Sequence, residues 1–291
     1  MRALISGATG YIGRDLVKHL TDNGYSVTAI VRSSSDASVL PRGTEMKVCD
    51  DVDAASLAEA LKGNGYDCFY DLAWPGSSGD DRALEDIQMN SASASIERSR
   101  AAVSLGCGRF VFTGSIAQYY VGSDGRLPAN DHYGAAKTYA ENVSKAVCSD
   151  GGIEHVAVHL PSTYGNNAQA GFIPFLIRSM KRNERIPLAD RDAVSDFVHI
   201  SDVVNGIRLA GEKGKAFTSY FIGSGEPRTI GEYAETAKRI IGSRSELLFG
   251  AVRTAGGITA EDLSIERLRN DAGYVPRIGF ADGLRSEIGF L

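Results

Sequence analysis

Tyr133 and Lys137 stand four residues apart, and Ser115 precedes them in the chain. On a helix, residues at i and i+4 share a face, so a phenol and an ammonium would project side by side. A free phenol ionises at ~10, too high for ready proton transfer at neutral pH. A fixed ammonium favours the phenolate and brings that value down. With a serine hydroxyl to hold the substrate oxygen, the trio suits reduction of a carbonyl or oxidation of an alcohol beside a hydride carrier. Tyr-x-x-x-Lys also arises by chance on solvated helix faces, so the elements around it decide its meaning.

Arg2-Ala3-Leu4-Ile5-Ser6 reads as a short strand and leads into Gly7-Ala8-Thr9-Gly10-Tyr11-Ile12-Gly13. From Tyr11 to Asn23 the apolar residues Ile12, Leu16, Val17 and Leu20 recur with a helical period. Strand, glycine turn and helix form the context of a dinucleotide fingerprint. Gly7 allows the tight turn, Gly10 lets backbone approach a pyrophosphate, and Gly13 lets helix pack on strand. The amides at the helix start, with Thr9, Tyr11 and Ile12 beside them, are placed to bind phosphate oxygens. The second strand, Ser26 to Val31, ends in Arg32-Ser33-Ser34-Ser35. An acid there would repel a ribose phosphate, whereas Arg32 can pair with one and the serines can donate to it. The expected cofactor is therefore NADP(H) in preference to NAD(H). In the alternative, Arg32 is solvated and Asp36 contacts the ribose.

These motifs together resemble those of an extended short-chain dehydrogenase/reductase of the NAD-dependent epimerase/dehydratase group, whose members mostly act on nucleotide-activated sugars. The resemblance runs from Arg2 to about Phe290. It implies that Asp51-Val52 meets the adenine, that Leu72-Ala73 ends the fourth strand beside the cofactor, and that Asn90 lies on the following helix. It places Ser115, after Phe112-Thr113-Gly114, as the catalytic hydroxyl, with Thr113 beside the cofactor. It also sets Leu160-Pro161-Ser162 against the nicotinamide side.

The departures narrow the chemistry. Family dehydratases carry an Asp-Glu pair just after the catalytic hydroxyl; here Ile116 and Ala117 stand there. Members that epimerise at carbons 3 and 5 use a cysteine and a histidine; the matching residues are Ala117 and Asn167. None of these can move a proton, which leaves simple hydride and proton transfer. The arginine that grips a nucleotide diphosphate before Asp-Phe-x-His is replaced by Ser195, with Arg191 and Arg253 as candidate substitutes. His199 reads as structural and Asp202 as a helix cap before Val203-Val204.

Strand-like runs alternate with helical ones through the first half: Asp67 to Leu72, Ala83 to Leu105, Arg109 to Thr113, His132 to Ser149, His155 to Leu160. The fold class is α/β: a doubly wound parallel sheet of Rossmann type with a smaller C-terminal α/β substrate lobe. Residues 1–164 form the dinucleotide-binding part and 165–291 mainly the lobe, with 196–222 returning to the sheet. Phe172 to Met180, Ser224 to Ile241 and Ile258 to Leu291 are expected in the lobe, over the carboxyl ends of the strands. Candidate substrate contacts are Trp74, Ser115, Tyr164, Phe172 and Arg253. Trp74, the one tryptophan of the chain, opens the loop to Arg82, and either walls the substrate and cofactor or packs that loop.

At 291 residues the chain can hold one large core, and a net charge of −5 gives no sign of a nucleic-acid partner. No apolar run approaches the ~18 residues of a membrane span, and no secretory segment precedes the first strand. A cytoplasmic enzyme starting at Met1 is expected. Cys49, Cys68, Cys107 and Cys148 show no metal-ligand spacing and read as buried free thiols. The helices bearing Asn90 and Tyr133 resemble the family's dimerisation pair, with Ile96, Val103, Tyr139 and Val143 as candidate contacts in a homodimer.

The leading expectation is an NADPH-dependent reductase of a keto group on a nucleotide-linked deoxysugar. A nucleotide-sugar 4-epimerase with tightly bound NAD is the first alternative. A reductase of a non-sugar carbonyl and a non-catalytic dinucleotide-sensing regulator follow.

Overall fold

The computed structural model describes residues 1–63, 65–120, 131–166, 168–252 and 258–290. Its elements run β1 Arg2–Ser6, α1 Tyr11–Asp22, β2 Ser26–Val31, β3 Glu45–Val48, α2 Ala54–Leu61, β4 Cys68–Asp71, α3 Glu85–Ser104, β5 Arg109–Ser115, α4 His132–Asp150 and β6 Glu154–Leu160. They continue with β7 Ser162–Tyr164, α5 Phe172–Lys181, β8 Ile186–Pro187, β9 Val194–Ser195, β10 Phe197–His199, α6 Ile200–Lys213 and β11 Thr218–Phe221. The chain closes with β12 Arg228–Thr229, α7 Ile230–Ile241, β13 Leu247–Leu248, α8 Glu266–Ala272 and α9 Phe280–Ile288.

Seven strands form one sheet in the order β3-β2-β1-β4-β5-β6-β11, every neighbouring pair parallel. Central strands buried on both faces explain the near-continuous apolar runs of β4 and β5. One face packs Leu16, Val17 and Leu20 of α1 with Val203 and Ile207 of α6; the other packs Leu57 and Leu61 of α2 with Ala92 of α3 and Ala140 of α4. The chain crosses from one face to the other between β1 and β4, so a crevice opens at their carboxyl ends. Ser6 and Asp71 sit at those ends, and Ser115 at the carboxyl end of the neighbouring β5.

A third core lies in the lobe, built by Ile173 and Leu176 of α5, Tyr233 and Ala237 of α7, and Phe280 and Leu284 of α9. Three small two-stranded pairings, β7 with β10, β9 with β12 and β8 with β13, tie its segments together.

The tail divides differently from the expectation. Leu263, Ile265, Leu268 and Tyr274 join the sheet-side core, and only the stretch from Phe280 on belongs to the lobe. The apolar spacing of α8 matches the exposed flank of α6 and β11, which those residues cover. Asp202 is not a cap. It lies buried in the first turn of α6, where its Oδ2 accepts the backbone amides of Arg277 (3.0 Å) and Ile278 (2.8 Å). The capping acceptor is His199, whose Nδ1 accepts the amide of Ser201. Cys68, Cys107 and Cys148 are buried free thiols, whereas Cys49 is only half-buried. Among the described residues, no helix is long and apolar enough to cross a membrane.

Candidate active site

The glycine loop is shaped by close backbone approach. Gly7 adopts φ +66°, and a Cβ there would meet the Ala73 amide nitrogen at 2.7 Å. A Cβ on Gly13 would lie 2.0 Å from the Gly7 carbonyl oxygen, so helix α1 could not seat against the turn. Gly10 caps α1 without a side chain, which leaves the first-turn amides open toward an anion. Thr9, Tyr11 and Ile12 line this turn half-exposed, and the Tyr11 hydroxyl donates to the Gly165 carbonyl at 2.7 Å. This turn fits the pyrophosphate of a dinucleotide.

Below it lies a buried ion pair. Arg98 Nε meets Asp71 Oδ1 at 2.5 Å, with both side chains under 5% exposed. Ser6 and Ser95 also donate to the Asp71 carboxylate, at 2.6 and 2.5 Å. The Ser6 hydroxyl in turn accepts the Leu72 and Ala73 amides, and Arg98 donates to the Ala73 carbonyl at 2.7 Å. With its oxygens satisfied in this way, a buried carboxylate can fasten the ends of β1 and β4 to helix α3. Asn90 is exposed on α3, two turns before Arg98.

Past the ends of β2 and β3, Arg32, Asp51 and Val52 are exposed. Ser33 donates its amide and hydroxyl to Asp50 Oδ1 at 2.9 and 3.0 Å, and Ser35 accepts the Arg32 amide. Asp36 caps the following turn through Ser38.

Ser115 ends β5, and the buried Tyr133 opens α4. The Ser115 hydroxyl lies near enough to the phenol to influence its ionisation. Burial pushes the Tyr133 phenol above its usual range; the Ser115 hydroxyl and the Arg82 guanidinium pull it down, and Asp131 opposes them. Lys137, one turn further along α4, is buried. Its Nζ donates to the Thr113 carbonyl at 2.6 Å and lies 3.7 Å from the centre of the Trp74 ring, against 5.9 Å for the Tyr133 ring. Burial pushes its amine down to about 7, with Asp71 working against that and Arg98 adding to it.

Trp74 is buried, with its indole N–H on Gln88 Oε1 at 2.9 Å and its ring beneath Lys137. It therefore packs the loop and the lysine. Gln88, fully buried, also donates to the carbonyls of Gly76 (2.8 Å) and Asp81 (3.0 Å), and so pins the segment from Trp74 to Arg82. Nothing in the sequence marks this glutamine, because its partners lie on a loop without periodicity.

Behind Ser115, Gln118 accepts the Ser115 amide at 2.8 Å and donates to Glu141 at 2.8 Å. Glu141 also accepts from His159 (2.7 Å) and Ser219 (2.6 Å). Desolvation raises this carboxyl, but His159, Ser219 and Gln118 outweigh it and hold the group down to about 2. The only sequence signal for Glu141 is its spacing, one turn beyond Lys137.

The expected substrate contacts divide. Leu160 and Ser162 are half-exposed beside the site. Tyr164 is not available to a substrate: its ring is 1% exposed and packs on His199 and Phe280. The β7–β10 pairing turns it into the lobe core. Phe172 stacks on Phe197 at 5.0 Å, again in that core. Arg253 and Asn167 lie outside the described residues. Arg191 is exposed and paired with Glu235. Directly across from Ser195 stands Arg228, which lines a cavity of about 230 Å³ with Phe197 and Tyr233. A larger hollow, about 730 Å³, lies at the amino ends of the strands beside Met1 and Asp67, away from Ser115 and Tyr133.

A glycine-turn cradle at the switch point of a parallel sheet, with a serine, a tyrosine and a lysine on neighbouring elements, defines a dinucleotide-binding enzyme of the short-chain dehydrogenase/reductase type. The signature of the NAD dependent epimerase/dehydratase family matches residues 3–223, and the chain belongs to that family. It is 25% identical to a dTDP-glucose 4,6-dehydratase of Streptomyces niveus over 98% of this chain and 90% of the other. It is also 25% identical to a 3-beta-hydroxysteroid dehydrogenase of Mycolicibacterium neoaurum, over 80% of this chain and 68% of that protein. The structure of a UDP-glucose 4-epimerase from Thermus thermophilus, in complex with NAD, superimposes with a TM-score of 0.81 at 19% identity, covering 99% and 98% of the two chains.

Proposed function

We propose that this chain is an NAD(P)-dependent oxidoreductase that reduces a keto group on a nucleotide-linked deoxysugar. The observation that carries the reading is the placement of the buried Ser115 and Tyr133 at the carboxyl end of β5 and the start of α4, in the sheet whose β1 ends in the glycine cradle. When bound, the nicotinamide supplies hydride to the substrate carbon or takes it away. Ser115 orients the carbonyl oxygen, and Tyr133 passes its phenolic proton to that oxygen. Lys137 holds the nicotinamide ribose from the floor of the site. Ile116 and Ala117 are buried and carry no titratable atom, which argues against loss of water.

Arg32 is the basis for preferring NADP(H). One observation favours the alternative, a 4-epimerase with tightly bound NAD: the carboxylate of Asp50 takes both donors of Ser33, next to where a ribose phosphate would lie. The nucleotide diphosphate is assigned to Arg228 and Arg253, in place of the arginine that Ser195 replaces. A cytoplasmic homodimer packed through α3 and α4 goes with this reading; Met89 and Tyr139 are exposed on those helices, while Ile96 is core.

Denaturing the purified protein and identifying any released nucleotide, then titrating the site with NADPH and NADH, separates the two. An empty site that prefers NADPH and turns over a nucleotide-linked 4-keto sugar is expected. Tightly held NAD with interconversion of epimers would replace the reductase by the epimerase.

A further inference from the structure

Resting on the reading above, we propose that Arg82 is a second cation, additional to Lys137, that stabilises the Tyr133 phenolate. Its guanidinium carbon lies 4.2 Å from the centre of the Tyr133 ring, well inside the distance at which a cation and an aromatic face attract. Lys137 Nζ is 5.9 Å from the same centre and is engaged by the Thr113 carbonyl and the Trp74 ring. Among the described residues the Arg82 guanidinium has no carboxylate or carbonyl partner within ion-pair or hydrogen-bond distance, and it lies over that ring. It is half-buried, so its field is less screened than that of a surface arginine.

The loop does not present this side chain by accident of mobility. Arg82 donates its amide to the Gly79 carbonyl, and the neighbouring Asp81 carbonyl is bonded to the buried Gln88. A Cβ on Gly76 would strike both Ile87 and the Gln88 side chain, so close packing closes the loop from below.

The charges that face the phenol are Arg82 from the loop and Asp131 and Lys137 from α4. Asp80 and Asp81 flank the arginine on its loop, His132 precedes the tyrosine, and Tyr120 follows the turn after β5. Arg82 lowers the phenols of both Tyr133 and Tyr120, against Asp131. In the proton step the Tyr133 O–H bond breaks and an O–H bond to the substrate oxygen forms, leaving the negative charge on Tyr133. A guanidinium over that ring is favoured more in the product of the step than before it.

The test is fluorine NMR of protein labelled with 3-fluorotyrosine, whose phenol ionises at lower pH than tyrosine. The Tyr133 resonance is identified by its loss in Tyr133→Phe. In Arg82→Met it should titrate about one pH unit higher than in the wild type, and in Arg82→Lys by a smaller amount. With a substrate in hand, kcat should fall about tenfold in Arg82→Met with KM unchanged. An unmoved titration would overturn the proposal whether or not the chain turns over a sugar. A rise in KM at constant kcat would also overturn it, making Arg82 a substrate ligand. Failure of the oxidoreductase reading itself would show separately, as absence of dinucleotide binding.

Discussion

The two walls of the site are built by opposite means. On the cofactor side the surface is backbone: Gly7, Gly10, Gly13 and the ends of β1 and β4, stiffened by the buried Asp71–Arg98 pair. On the side where we place the substrate it is a loop, with the Arg82 side chain above a buried Trp74 and one buried glutamine pinning the turn. A backbone surface tolerates little change, because a Cβ has nowhere to go. A side-chain surface can be rewritten residue by residue, which is how one family acts on different substrates over one cofactor site.

Several substitutions would break or sharpen this contrast. The largest effect is expected from Tyr133→Phe, which removes the proton and should cost at least ~10³-fold in kcat while dinucleotide titrations stay unchanged. Loss of dinucleotide binding in that variant would mean that the two walls are not separable.

Arg98→Met leaves Asp71 buried without its cation and should destabilise the fold by about 3–5 kcal/mol in urea unfolding. A cost near zero would show that Ser6 and Ser95 alone satisfy the carboxylate.

Glu141→Gln addresses the support behind Ser115. The native carboxyl ionises at about 2 against an ordinary 4.5, so its stabilisation is complete above pH 4.5 and is lost as pH falls through 2. The variant should be about 3 kcal/mol less stable at pH 7, with a gap that begins to narrow below pH 4.5. A gap independent of pH between 7 and 3 would refute the assignment.

Lys137 behaves in the opposite sense. Its folded value, about 7, lies below the ordinary 10.5, so the fold binds fewer protons than the unfolded chain between those values. Its contribution is unfavourable below pH 7 and is relieved as pH rises toward 10. Lys137→Met should therefore gain stability relative to wild type at pH 6, and the gain should shrink by pH 9 in thermal unfolding.

Arg32→Ala should lower the NADPH-to-NADH preference about tenfold, near 1.4 kcal/mol. An unchanged ratio would leave Arg32 a solvated side chain.

How much of this was legible in the chain follows the same division. Gly7 and Gly13 announce themselves because only glycine fits where their Cβ atoms would collide with backbone. The alternation of apolar runs shows the sheet because β4 and β5 are buried on both faces. Asp71 and Arg98 are 27 residues apart and meet only once α3 has packed on the sheet, so no local pattern connects them. Tyr164 follows a strand toward the site, but pairing of β7 with β10 rotates it into the lobe. Asp202 stands where a cap is common, yet its carboxylate reaches 75 residues onward to the tail. Arg82 was invisible because a loop cation has no spacing rule to obey.

The path of the tail bears on how this molecule could be cut and recombined. Leu263, Ile265, Leu268 and Tyr274 fill the sheet-side core after the chain has already visited the lobe, and Asp202 fastens the irregular segment that follows. A truncation at residue 223, where the family signature ends, would strip a wall from Tyr220 and Ile222. Grafting a relative's lobe onto this sheet would thus require exchanging three separate stretches, before α6, between β11 and α8, and from Phe280 on, while leaving α8 in place.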